Sequence, residues 1–199
     1  MIKYLKYWLC ALLCILSVGF CSASAQAASG LEVHFLKVGR NDGILIRCGD
    51  DDVFIDAGMY QQGVEAVEYM QALGIDKLTY YIGTHMHEDH IGGAPHIVDT
   101  FRPQAIILTD GEVDKMLQSY ARTRQEREAL AQTPRIFAEV GQQIRVGDAV
   151  LTVLGPVNIR KVRYEDQNIN SLILRLSYGD TDILLTADGM TPEFEEILA

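Results

Sequence analysis

The run Thr84-His85-Met86-His87-Glu88-Asp89-His90 decides how the rest of this 199-residue sequence is interpreted. Three of the five histidines of the chain fall within these seven residues, together with an aspartate. Imidazole and carboxylate groups are the usual protein ligands of zinc and related divalent ions. We therefore expect this histidine run to bind metal, rather than to be a surface loop that happens to be rich in histidine.

The spacing within the run also indicates its local shape. On one helix, His85 and Asp89 would share a face, while His87 and His90 would share another. The four side chains can converge only if the segment is irregular. Because an apolar strand pattern over 78–82 precedes the run, the sequence predicts a loop at the end of a strand.

Hydrophobic patterns on both sides of the run predict an α/β protein with hairpin-linked sheets and covering helices. The charged stretch 122–128 is expected to be a solvated helix face. Strands are expected at 31–38, 44–48, 53–56, 78–82, 106–108, 143–146, 149–154, 172–177 and 182–186, and helices at 64–73, at 112–132 and from Thr191.

Residues 1–27 have the layout of a secretory signal peptide, with two lysines, an apolar run over 8–20 and then small residues. We expect cleavage after Ala25 or Ala27 and a secreted or periplasmic product that keeps one domain, residues 28–199. An uncleaved membrane anchor is the alternative, although 13 apolar residues are short for a membrane span.

Removal of this leader would change the charge and the cysteine count. It would leave 15 basic residues against 27 acidic ones, a net charge of −12, and Cys48 as a lone, packed thiol. This acidic balance argues against a strong nucleic-acid surface. It does not exclude phosphodiester cleavage, because a metal centre supplies local positive charge.

The pattern His85-x-His87-x-Asp89-His90 resembles the metal-binding motif of the metallo-β-lactamase superfamily. Further stretches over 31–199 carry the same resemblance. One branch of the superfamily is especially similar, namely the C-terminal domain of the competence protein ComEC and its stand-alone relatives. The stretches similar to that branch are 35–43, 153–156 and 170–176, and those similar to the wider superfamily are 55–58 and 184–188.

The resemblance implies a four-layer αββα sandwich that binds one or two divalent ions, zinc first and manganese as the alternative. His85 and His87 would bind the first ion, Asp89 and His90 the second, and Asp188 would bridge the two. For Asp188, the cap of a turn is the alternative role.

Four other residues have expected roles. Asp56 would orient the histidine run without contacting metal, with a plain turn acid as an equal alternative. Asn170 and Ser171 lie where many members carry a third histidine, and we expect them to hold substrate or water. His96 lies too close to the run to replace that histidine, and we expect it on a helix surface.

Relatives continue to a further histidine beyond the point where this sequence stops, so we expect the domain to be incomplete at its C-terminus.

The implied reaction is metal-assisted hydrolysis of a phosphodiester or nucleic-acid-type substrate, with Asp89 assisting proton transfer. One alternative is a hydrolase of small cyclic esters or amides, such as lactones and β-lactams, which an apolar pocket with a cationic anchor would indicate. The other is a non-catalytic secreted binding protein. The sequence does not define an oligomeric state.

Overall fold

The computed structural model describes residues 30–37, 39 and 41–199. The expected leader, with three of the four cysteines, lies outside the described residues. Within the described part, no helix combines the length and the apolar character needed to cross a membrane.

Two sheets form the centre of the domain. In the six-stranded sheet, β1 to β6 lie in chain order; β1, β2 and β3 pair antiparallel, and β3 to β6 pair parallel. In the four-stranded antiparallel sheet, the order is β10-β9-β8-β7. The strands are β1 Glu32–Phe35, β2 Ile44–Cys48, β3 Asp51–Ile55, β4 Tyr80–Ile82, β5 Ala105–Leu108, β6 Arg135–Phe137, β7 Gln143–Val146, β8 Ala149–Gly155, β9 Ile173–Tyr178 and β10 Thr181–Leu185.

In the part of the chain that the structure describes, six α-helices and one 3-10 helix complete the fold. The α-helices are α1 Tyr60–Ala72, α2 Glu88–Ile91, α3 Ala94–Phe101, α4 Gly111–Ser119, α5 Arg124–Gln132 and α6 Thr191–Leu198, and the 3-10 helix spans Tyr164–Asn170.

The alternation of side chains along each strand divides the core into two layers. On β2, Ile44 and Ile46 face the second sheet, whereas Leu45 faces the helices α1 and α3. The last helix, α6, packs against β8 of the second sheet. The order of layers matches the expected αββα sandwich, and Cys48 is packed in the inter-sheet core as expected.

The structure corrects the predicted helix over 112–132, which is two helices. Thr123 follows the short connection after α4 and is the N-cap of α5. It forms a capping box, in which its side chain accepts a hydrogen bond from the amide of Glu126. Glu126 belongs to the stretch expected to be solvated, yet it is 1% exposed, because its carboxylate accepts hydrogen bonds from the amides of Arg122 and Thr123 and from the hydroxyl of Tyr60. Local charge patterns do not show such tertiary bonds.

Other differences concern short elements. Helix α1 begins at Tyr60 and not at position 64, and the sequence patterns missed α2, α3, β6 and the 3-10 helix. Each of these missed elements has eight residues or fewer, which is too short for a clear hydrophobic period.

Candidate metal centre

The histidine run follows β4, next to the residue that follows β3. The amide of Asp56 donates to the carbonyl of Ile82 across 2.9 Å, which ties the ends of the two parallel strands together. The carboxyl ends of neighbouring parallel strands meet at one sheet edge, where binding sites commonly form. Asp56 therefore lies against the run although it is 28 residues away from Thr84.

Asp56 is fully buried and accepts three hydrogen bonds from the run. Its Oδ1 accepts from the amide of Thr84 at 2.9 Å, and its Oδ2 accepts from the hydroxyl of Thr84 at 2.7 Å and from Nδ1 of His90 at 2.8 Å. Because Nδ1 of His90 donates to Asp56, Nε2 is the nitrogen of this ring that can bind metal once it gives up its proton. This is the orienting contact that the resemblance implied for Asp56, and its effect on metal binding stays a prediction.

His90 connects Asp56 to Asp188. Its Nε2 lies 3.4 Å from Oδ1 of Asp188, and one ligand atom each of His85, His90 and Asp188 lie within 4.8 Å of one another. Burial opposes a charge on His90, but the hydrogen bond and the charge of Asp56, followed by those of the other nearby carboxylates, raise its pKa to about 9. The structure thus brings together three of the expected ligands.

His85 and His87 face each other through one nitrogen each, with Nε2 of His85 3.0 Å from Nδ1 of His87. The opposite nitrogens are held: Nε2 of His87 lies 2.6 Å from the backbone oxygen of Tyr164, and Nδ1 of His85 lies 3.1 Å from the hydroxyl of Thr84. A carbonyl oxygen only accepts, and the Thr84 hydroxyl already donates to Asp56, so both of these nitrogens carry the proton. In neutral rings, the two facing nitrogens are both acceptors.

Two facing acceptors favour a cation between them. Two nitrogens bound to a tetrahedral zinc ion at 2.0–2.1 Å lie roughly 3.3 Å apart, which is close to the 3.0 Å between the nitrogens of His85 and His87. Burial and the charge of His90 lower the pKa of His85 to about 3, so a proton is a poor occupant. The donor set therefore fits a divalent metal ion.

Asp188 and Asp89 are placed differently with respect to this centre. Asp188 follows β10, and its Oδ2 accepts a hydrogen bond from Nδ2 of Asn168 at 3.1 Å. Asp89 lies partly buried in the first turn of α2. Among the described residues, the structure does not bring Asp89 into either of the groups of converging ligand atoms, so its ligand role stays a proposal.

Ser171 lies in the centre, and Asn170 serves the loop before it. Ser171 is fully buried with its Oγ 3.5 Å from Nδ1 of His85. Asn170 is 3% exposed, and its amide bonds the backbone N–H and carbonyl of Arg160 and the side chain of Gln167. These bonds hold the loop before the 3-10 helix, and the expected contact of Asn170 with substrate stays a prediction.

Sequence reasoning missed three residues that border the centre, namely Asp42, Tyr164 and Asn168. One ligand atom each of Asp42, Asp56 and His90 lie within 4.8 Å of one another. Burial and the charge of Asp56 raise the pKa of Asp42. Asp42 lies in the stretch 35–43, which carries the family resemblance, whereas Tyr164 and Asn168 lie in the short 3-10 helix, which carried no sequence signal.

A cavity of about 520 Å³ opens beside Met86 of the run, between the start of α4 and the loop before the 3-10 helix. Part of its wall is apolar, and Lys161 and Arg160 add positive charge. Arg160 pairs with Glu196, and among the described residues no carboxylate lies within ion-pair distance of Lys161. The lining residues are Met86, Asp110, Glu112, Met116, Ile159, Arg160, Lys161, Val162, Tyr164, Gln167 and Asn170.

Comparison with known families gives one match that covers most of the chain. The model of the family described as "Metallo-beta-lactamase superfamily" matches residues 37–193. A search of curated proteins finds no significant match.

Solved structures of metallo-β-lactamases have a similar fold. A Cronobacter sakazakii enzyme with a HARLDQ motif is 17% identical with a TM-score of 0.54, over 79% of this chain and 59% of that one. MEM-A1, a subclass B3 enzyme from a soil metagenome library, is 15% identical with a TM-score of 0.55, over 79% and 60%. SMB-1 is 13% identical with a TM-score of 0.56, over 86% and 70%. The chain thus spans about three fifths of the length of the first two enzymes, and identities this low show the fold alone.

Proposed function

The chain belongs to the metallo-β-lactamase superfamily, and from this premise we propose that it is a metal-dependent hydrolase of small phosphodiesters. One observation carries the proposal: one nitrogen each of His85 and His87 face each other as acceptors, beside Nε2 of His90 and the carboxylate of Asp188. Imidazole nitrogens and a carboxylate are the ligands that zinc and related divalent ions take.

A divalent ion held there would lower the pKa of water to near neutrality and polarise the bond to be cleaved. The residues around it orient the donors. Asp56 fixes the ring of His90, and the backbone oxygen of Tyr164 fixes the ring of His87. Asp89 is proposed to take the proton from the attacking water.

Carboxylates make the centre suitable for a second ion, which supports a phosphoryl substrate. Ligand atoms of Asp42 and His90 lie within 4.8 Å of each other, the charge of Asp89 also acts on His90, and two ions can hold the attacking and leaving oxygens of a phosphate. The net charge of −10 opposes binding of a long polyanion. We therefore propose a small diester, with long nucleic acid as a poorer substrate.

Hydrolysis of bis-p-nitrophenyl phosphate, with added Mn²⁺ or Zn²⁺, tests this proposal directly. We expect turnover by the unmodified protein and none by Asp89→Asn, which should keep most of its metal. Glu88→Gln is the matched control, because Glu88 is an exposed acid on the same turn, and it should stay active. Turnover of a lactone or β-lactam, with none of any phosphodiester, would reject the proposed substrate.

The cavity supports a second candidate, a hydrolase of small cyclic esters or amides. Its apolar side chains Met86, Met116, Ile159 and Val162, with Lys161 as a free cation, give the features expected for such a substrate. A panel of lactones and β-lactams, assayed beside the diester, compares the two candidates.

Export is the third part of the proposal, and it rests on the leader sequence alone. We propose that residues 1–27 direct secretion and are removed. Fractionation of expressing cells and N-terminal sequencing of the product test this, and recovery of the intact N-terminus in the cytoplasm would reject it.

A further inference from the structure

Asn168 lies between two of the candidate metal ligands. In the 3-10 helix, its Nδ2 donates to Oδ2 of Asp188 at 3.1 Å, and its side chain is near enough to His85 to affect the pKa of that imidazole. Asp188 and His85 come from different sheets of the domain, so this one side chain connects the two halves of the centre.

The orientation of this amide is fixed by its partner. A carboxylate without a proton only accepts hydrogen bonds, so the nitrogen of the Asn168 amide must face Asp188 and the oxygen must point away. Oδ1 is buried and has no hydrogen-bond partner among residues 30–37, 39 and 41–199. Asn170, two residues later, contrasts with it, because both ends of that amide are bonded.

A buried oxygen acceptor without a donor is unfavourable unless a donor or a cation meets it. The amide of Asn168 bonds one candidate metal ligand, Asp188, and the facing nitrogens of His85 and His87 are also acceptors without a donor. Oδ1 of Asn168 and the facing nitrogens of His85 and His87 are thus acceptors without a donor, and a shared cation would satisfy all three.

We propose that Oδ1 of Asn168 is a neutral oxygen ligand of the ion held by His85, His87 and Asp188, and that it shifts this position towards Mn²⁺. The inference rests on the proposed metal-dependent function. Nitrogen-rich tetrahedral sites suit zinc, whereas carboxylate and carbonyl oxygens suit manganese. Two nitrogens and two oxygens would hold manganese better than a site with three histidines.

Metal binding by the whole protein, measured without substrate, tests this. Free Mn²⁺ is followed by electron paramagnetic resonance, and Zn²⁺ by competition with a chromophoric chelator. We expect Asn168→Ala to weaken Mn²⁺ binding by about tenfold or more, the scale on which metal-site partners act, and to weaken Zn²⁺ binding clearly less. Asn168→His should strengthen Zn²⁺ relative to Mn²⁺.

The control variant is Asn158→Ala, which removes another asparagine whose amide faces a carboxylate, that of Glu196. It should bind both ions as the unmodified protein does. Thermal melts verify that each variant is folded, and Asn168→His keeps the test valid if the alanine variant unfolds. Equal weakening of both ions by Asn168→Ala would overturn the inference, because Asn168 would then act only by holding Asp188.

The result is separable from the proposed hydrolase function. A protein that binds Mn²⁺ through Asn168 but cleaves no diester keeps this inference and rejects the hydrolase. If the protein cleaves diesters and its Asn168→Ala variant binds Mn²⁺ with unchanged affinity, the hydrolase function is kept and this inference is rejected. A protein that binds neither ion rejects both.

Discussion

Oδ2 of Asp56 lies 2.8 Å from Nδ1 of His90, and both side chains are almost fully buried. The two residues follow different strands and are 34 positions apart. A buried carboxylate is stable only when its oxygens are hydrogen-bonded, and Asp56 meets this need by holding the histidine run. The same contacts that hold the turn therefore also orient a candidate metal ligand.

Replacement of this carboxylate tests that link. Asp56→Asn keeps the shape of the side chain, and asparagine also tolerates the φ of 54° at this position. It removes the charge that His90 faces and one acceptor oxygen, so we expect metal affinity to fall roughly 10- to 100-fold. Chelator competition measures the change, and unchanged affinity would show that Asp56 has only a structural role.

The choice of histidines is tested by a paired substitution. His85 is buried in the centre, whereas His96 lies half-exposed on α3, with Nδ1 3.6 Å from a carboxylate oxygen of Glu126. We expect His85→Ala to lose most bound metal and His96→Ala to lose almost none. Elemental analysis after mild dialysis decides this, and equal losses would contradict the ligand assignment.

A pair of glycines explains how closely α1 approaches the segment after the run. A Cβ on Gly63 would lie 2.6 Å from the Cα and the carbonyl oxygen of Gly93, three residues after His90. Gly63→Ala must therefore push the segment away, and we expect a loss of about 1–3 kcal/mol in unfolding free energy, with weaker metal binding. Gly111→Ala is the control, because a Cβ there meets nothing within 4 Å. Equal unfolding free energies of Gly63→Ala and Gly111→Ala, measured by urea melts, would contradict this explanation.

Part of the centre could be predicted from sequence, because its signals are local. The spacing of His85, His87 and His90, and the acid that ends β3, are visible along the chain itself. The position of Asn168 is not, because only the packing of the two sheets brings the 3-10 helix to the run. Glu126 shows the same limit, since a charged residue in a charged stretch is indistinguishable from a solvated one until Tyr60 is placed beside it.

Glu126 also gives a pH-dependent prediction. Burial raises the pKa of its carboxyl, but hydrogen bonds from the amides of Thr123 and Arg122 and from the hydroxyl of Tyr60 outweigh burial and lower the pKa below 4.5. A lowered folded-state pKa stabilises the protein above the unfolded value, and the stabilisation is lost as pH falls through the folded value.

We therefore expect Glu126→Gln to cost about 1–3 kcal/mol near neutral pH, from lost charge-assisted bonds. The cost should shrink as pH falls below 4.5, where the native carboxylate becomes protonated. Urea melts of both proteins at about pH 7 and about pH 4 measure it. Glu128→Gln, at an exposed position on the same helix, serves as the control. A constant difference at both pH values would contradict the lowered pKa.

The last prediction concerns Lys161 in the cavity beside the centre. The other charges of the lining are engaged: Arg160 pairs with Glu196, Glu112 pairs with Lys115, and Asp110 accepts from the first amides of α4. Lys161 is thus the charge available to a bound molecule, so we expect it to contact an anionic group on the part of the substrate that does not react. Lys161→Gln should raise KM for a p-nitrophenyl diester with a carboxylate arm by about two- to fivefold, the scale of one exposed ion pair, and should leave kcat unchanged.

Two controls accompany this prediction. Lys161→Gln should not change KM for the methyl ester of that arm. Arg163→Gln, which alters a neighbouring exposed cation that pairs with Asp166, should not change KM for the charged substrate. An equal rise in KM for the charged and the neutral substrate would show that Lys161 shapes the cavity without binding an anion.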